Sequence, residues 1–176
     1  MNVNSNALRL EERVLSAVRP CVGRRLQSVF YCCLTKPDEC SAEDLHAPDI
    51  SFGGELLLVF EGGQRLVVTW DENPGWEHPF SVQARTTTAF KPDSLKPLDG
   101  SSVELWREHV GSALQGTRVH GIDGVPHVIE LQFPLATVLV GDGSQGRFGD
   151  GDDTIVRGGH LADLGGFEVL AVAADT

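Results

Sequence analysis

The sequence predicts an α+β domain: a large, mostly antiparallel β-sheet, curved or barrel-like, with two helices packed on it. Three observations carry that class. Strand-like segments outnumber helical ones, two tight hairpins lie in the middle of the chain, and no alternation of strand and helix calls for a parallel sheet. At 176 residues the chain is long enough to bury a real core. It reads as a single domain over 1–176, with 91–100 as the stretch that would link two parts if there were two.

Residues Ala7 to Val18 read as a helix, because Leu10, Val14 and Val18 fall four apart. Ser5 or Asn6 would cap its start and Pro20 close its end. Arg24 to Leu34 is strand-like around Val29, Phe30 and Tyr31. Thr35 to Ile50 carries Pro37, Pro48 and several acids with little apolar content, and reads as a surface loop. Glu55 to Phe60 and Arg65 to Trp70 form a hairpin around Gly62-Gly63, which supply the positive φ angles of a two-residue turn. Leu56, Leu57, Leu58 and Val59 are apolar without alternation, so that strand is covered on both faces and sits centrally. Asp71 to Pro79 is turn-rich. Phe80 to Phe90 alternates apolar and polar residues and reads as a half-exposed strand.

Lys91 to Gly100 carries two prolines and reads as the linker. Ser101 and Glu104 have the spacing of a capping box, in which each side chain bonds the other's free backbone N–H. Val103, Trp106, Val110 and Leu114 continue that pattern as a helix, and Gly116 would stop it. A second hairpin runs from Thr117 to Ile122, turns at Asp123-Gly124 and returns from Val125 to Phe133. Leu135 to Val140, Thr154 to Val156 and Phe167 to Ala173 are the remaining strands, with a glycine and aspartate loop from Gly141 to Asp153.

Acidic residues number 25 and basic residues 14, a formal net charge of −11. A phosphate backbone repels such a surface, so nucleic acid is not the expected partner, whereas a basic protein is. The acids cluster at Asp38 to Asp49, Asp71 to Glu77 and Asp142 to Asp153, between nearly neutral strands. No stretch approaches the roughly 18 apolar residues of a membrane helix, and no membrane partner is expected. The first residues lack the basic start and apolar core of an export signal. The cysteines Cys21, Cys32, Cys33 and Cys40 include no Cys-x-x-Cys pair. The chain therefore reads as cytoplasmic and of bacterial type, with reduced thiols, and Cys33 with Cys40 is the one redox pairing considered.

Three places carry candidate chemistry. Counting back from a two-residue turn at Asp123-Gly124 pairs Ile122 with Val125 and sets His120 opposite His127 on one face. Cross-strand Cβ atoms lie about 5 Å apart, close enough to share a metal, with Asp150 or His160 as a third ligand supplied by the fold. In the loop before Thr154, Gly149, Gly151, Asp153 and Ile155 keep the spacing Gly-x-Gly-x-Asp-x-apolar, which resembles one repeat of the calcium-binding nonapeptide of RTX toxins. Phe148 stands where the first glycine of that repeat belongs. Calcium in that family sits between stacked turns, so a single repeat implies an acidic turn whose Asp150, Asp152 and Asp153 hold at most a weak divalent cation. No other cofactor is expected. Trp70, Asp71, Glu72, Trp76 and Glu77 combine aromatic area with negative charge, a surface suited to a basic partner.

No Gly-x-Ser-x-Gly elbow and no phosphate loop occurs, and no catalytic constellation can be named. The expectation is a non-enzymatic protein-binding domain of the immunity or inhibitor kind, its negative charge countering a basic partner. The alternative is a small-molecule or metal-binding sheet, or an enzyme, with its site near His120 and His127. A hairpin edge leaves a homodimer open.

Overall fold

The structure is a computed structural model and describes residues 9–34, 44–47, 49–72, 80–87, 95–143, 153–159 and 165–174. Its elements are α1 (Leu10–Val18), β1 (Leu26–Leu34), β2 (Asp49–Phe52), β3 (Gly54–Phe60), β4 (Arg65–Glu72), β5 (Phe80–Thr86), β6 (Leu95–Asp99), α2 (Glu104–Arg107), β7 (Gly116–Ile122), β8 (Val125–Gln132), β9 (Thr137–Asp142), β10 (Thr154–Gly158) and β11 (Glu168–Ala174). The class is α+β, and every strand pairing among the described residues is antiparallel. The strands divide into two sheets, ordered β5-β4-β3-β1-β6 and β11-β7-β8-β9-β10-β2, and these are not closed into a barrel.

The two sheets face each other, with β5 against β8 and β9, β4 against β9, and β3 against β10. Tyr31, Leu56, Leu58, Phe60, Leu66, Val68 and Val82 fill the core from one side, and Val119, Ile129, Leu131, Val138, Val140 and Val156 from the other. Each such side chain, once buried, contributes about 1.5–3 kcal/mol of apolar transfer. The alternate residues of the central strands, Cys32, Leu57 and Val67, cluster on the opposite face of the five-stranded sheet. β3 is indeed central and covered on both faces, as its unbroken apolar run requires.

The helix α1 packs on β5, β7, β8 and β11. Val14, Leu15 and Val18 form its buried stripe. The short α2 is anchored from below: Trp106 Nε1 donates to Tyr31 Oη at 2.7 Å, both side chains buried, and Phe52 meets the Tyr31 ring edge-on at 5.1 Å.

Several local expectations are corrected. Residues 95–99 of the stretch read as linker form β6, which pairs with β1. Residues 49–52, half of them read as loop, form β2 on β10. Gly62 and Gly63 do hold positive φ (78° and 76°), but the connection spans Glu61–Gly63 and closes with Phe60 N–H donating to Gln64 O. The capping box does not form. Ser101 Oγ instead accepts the backbone N–H of Val29 at 3.0 Å, and the helix begins after Val103 with no side-chain cap. That helix is one turn of α, with its following turns ending near Gly111 at φ 88° rather than running to Gly116. The first helix begins at Leu10 rather than Ala7, with Arg9 in the N-cap position and no side-chain cap, so the cap read at Ser5 or Asn6 is corrected.

Candidate functional site

The hairpin of β7 and β8 carries the densest group of buried polar side chains. Its tip is as the sequence requires: Ile122 pairs with Val125, and Asp123 and Gly124 take φ of 51° and 77°, the two left-handed positions of a type I′ turn. One residue further the register changes. Gly121 pairs with Pro126 but His120 pairs with Val128, so His127 is an extra residue, a β-bulge on β8. The expected opposition of His120 and His127 is thereby overturned.

The bulge gives the two histidines different surroundings. His120 shares a side with its partner Val128, which packs with Leu139 and Ile155 on the outer face of the six-stranded sheet. Its Nε2 lies 2.6 Å from Glu130 Oε2. Glu130 also accepts from Gln132 Nε2 at 2.9 Å and pairs with Arg118 Nη1 at 3.5 Å. Burial alone would raise the Glu130 carboxyl, but the hydrogen bonds from Gln132 and His120 and the charges of His120 and Arg118 outweigh it and hold it below the usual carboxylate range. His127 turns to the inner side. Its Nδ1 meets both carboxylate oxygens of Asp142 at 3.0 Å, and both residues are essentially without solvent exposure. Asp142 pairs with Thr154, whose Oγ1 donates to the Gly54 carbonyl of the facing sheet at 2.7 Å. A carboxylate only accepts, so Asp142 holds the imidazole proton at Nδ1.

Neither Glu130 nor Asp142 was anticipated, nor were Arg118 and Gln132. One signal in the sequence points to them. Without a bulge, Val119 would share a face with Val128, Glu130 and Gln132; with it, Val119 joins Ile129, Leu131 and Phe133 in the core. The hydrophobic pattern thus demands a one-residue shift, and that shift brings Arg118 and Glu130 together.

A cleft of about 350 Å³ opens beside the hairpin tip, lined by Gly121, Ile122, Asp123, Gly166, Phe167 and Glu168. Two of its six walls are carboxylates, and Glu168 Oε1 accepts the Gly124 N–H at 3.1 Å, tying the start of β11 to the turn.

The other predicted residues are dispersed. Asp153 accepts from Ser51 Oγ at 2.7 Å, while Asp150 and Asp152 lie outside the described residues. Trp70 lies in β4 as expected, and Asp71 and Glu72, read as turn, continue that strand, the three paired with Val82, Ser81 and Phe80. Trp70 is half-buried, and Trp76 and Glu77 lie outside the described residues. Among the described residues no group of three or more His, Cys, Asp or Glu is arranged to hold a metal ion. Cys21 and Cys32 are free and buried, and burial pushes both thiols up to about 12. Cys33 is disulfide-bonded, which corrects the reading of four reduced thiols, and Cys40 lies outside the described residues. No helix among the described residues is long and apolar enough to cross a membrane.

No protein-family model, curated protein or solved structure matches this chain.

Proposed function

We propose that this chain is a non-enzymatic domain of the immunity or inhibitor kind that binds a basic protein partner, with the hairpin tip at its contact surface. The observation that carries the reading is the acidic cleft: Asp123 and Glu168 wall an open hollow beside the Asp123-Gly124 turn on a chain of net charge −11. A lysine or arginine side chain of a partner fits such a hollow, and the surrounding field speeds its arrival. His120 and His127 support the same reading, because each has its own carboxylate inside the fold and the space between the sheets is filled with aliphatic and aromatic side chains. Trp70, Asp71, Glu72, Trp76 and Glu77 are a second proposed contact for the same kind of partner, on the strength of the sequence.

The test is capture of a partner from the native organism, followed by affinity measurement over a salt series. Binding to a basic protein that weakens steeply with salt, and that falls with Asp123→Lys or Glu168→Lys, is the expected result. Salt-insensitive binding sinks the steering argument. The alternative, a metal site at His120 and His127, is separated by metal analysis of the purified protein: stoichiometric zinc lost in His120→Ala or His127→Ala would replace the protein-binding reading. A cytosolic location is part of the proposal and makes its own demand. The Cys33 disulfide must then be one that opens in a reducing compartment: thiol trapping in rapidly quenched cells is expected to find part of Cys33 as thiol, and a Cys33 that stays wholly oxidised would move the protein to an oxidising compartment.

A further inference from the structure

We propose that β11 is a self-association edge, at which two copies of this chain pair antiparallel and join their six-stranded sheets into one continuous sheet. The inference rests on how differently the four sheet edges are protected. An edge strand presents a row of unpaired N–H and C=O groups, and proteins blunt it with proline, charge, shortness or a covering element. β6 carries Pro97 and Asp99. β2 is four residues long, and its Asp49 is ion-paired to Arg157 at 3.2 Å. β5 has α1 packed on it, and its Arg85 is bound to Glu55 at 2.8 Å. α1 reaches β11 as well, but the strand itself carries neither proline nor shortness nor charge along its length to blunt its edge. It is seven residues long, pairs with β7 alone among the described strands, and reads Glu-Val-Leu-Ala-Val-Ala-Ala, with no proline and no charge after its first residue.

Its side chains are also those of an unfinished interface. Val169 and Val172 are each 54% exposed, and both pair with residues of the outer face, His120 and Arg118. Ala171 and Ala173 pack against the core, so the strand is seated on that side, and among the described residues no strand pairs along its other edge.

Charge decides the occupant. A chain of net charge −11 repels its own copy almost everywhere, so a self-interface must fall where charge is least. β11 is such a place, and a basic partner finds there no acid beyond Glu168. That glutamate is already held by the Gly124 N–H. In a two-fold antiparallel pairing the two copies of Glu168 lie at opposite ends, about 20 Å apart at ~3.3 Å per residue. That exceeds the ~8 Å over which physiological salt leaves charges interacting. The same strand meeting itself gives a closed, isologous contact that stops at two copies.

The test is sedimentation velocity of the full chain over a concentration series, beside Val169→Lys and Val172→Lys. Both substitutions are at positions already more than half exposed, and circular dichroism checks that the fold is kept. The expected result is a concentration-dependent dimer whose dissociation constant rises at least about tenfold in each variant, since each puts an ammonium group among the apolar side chains where the two strands meet. Hydrogen exchange of the unaltered chain keeps the test decisive if a variant fails to fold: β11 amides must slow as concentration rises. A chain that stays monomeric throughout, a dimer indifferent to both lysines, open-ended aggregates, or β11 protection that appears only on adding another protein would each overturn the proposal.

Discussion

Among the described residues three histidines are buried, and they are buried in two ways. His120 and His127, in the β7–β8 hairpin, each face a carboxylate. His109, beyond α2, has none. It stacks on Phe133 at 4.8 Å with the planes 19° apart and meets the edge of Trp106, and its Nδ1 makes no hydrogen bond. Burial lowers its pKa below 6.5, and the nearby charge of Glu108 only partly opposes this. The difference teaches that a buried imidazole is stabilised either by an anion it can donate to or by remaining neutral among aromatic faces. Each solution leaves one ring nitrogen buried without a hydrogen bond, Nε2 of His127 and Nδ1 of His109.

The contrast can be broken most forcefully on the inner face of the six-stranded sheet. Asp142→Ala leaves His127 buried without its acceptor and is expected to cost about 3 kcal/mol, measured by urea unfolding. A loss below about 1 kcal/mol would mean that the inner pair matters no more than an exposed one. Next is Gly121→Ala, which tests the bulge that separates the two histidines. A Cβ there would strike the Val125 carbonyl and crowd Leu170, and the expected cost is about 2 kcal/mol.

Glu130→Gln on the outer face is milder, about 1 kcal/mol near neutral pH, because Gln132 and Arg118 still surround the site. Here the sign with pH is definite. The folded carboxyl is held below its ordinary value of 4.5, so its stabilisation is present above pH 4.5 and is lost as pH falls through the folded value. The stability gap between the native protein and the variant should therefore close on acidification. The smallest effect is a slope. His109 is neutral in the fold and charges more readily once unfolded, so its contribution is intact above pH 6.5 and declines as pH drops below it. His109→Phe should retain the stack on Phe133 and remove that part of the decline; an unchanged profile would assign the acid sensitivity elsewhere.

Some features were legible because they depend on few neighbours. The Asp123-Gly124 turn, the glycines at 62 and 63, the central apolar run Leu56 to Val59 and the burial of Val14 and Val18 from the stripe Leu10, Val14 and Val18 each follow from local backbone sterics or from periodicity. The site was legible only in part. Both histidines were singled out, but their carboxylates were not, because Asp142 lies on β9, fifteen residues from His127, and Glu130 comes opposite Arg118 only through the bulge.

The sequence by itself determined the turn at Asp123-Gly124, the extended character of the main strands and their apolar faces, since these rest on interactions within a few residues. Only the tertiary structure decided what those segments meet. It made a strand of the proline-bearing Leu95–Asp99 because β1 had an edge to pair, and it drew Ser101 from a helix cap to the Val29 N–H because a buried donor needs an acceptor. It also placed one extra residue at His127, since keeping Val119, Ile129 and Leu131 on one buried face outweighs keeping a regular ladder.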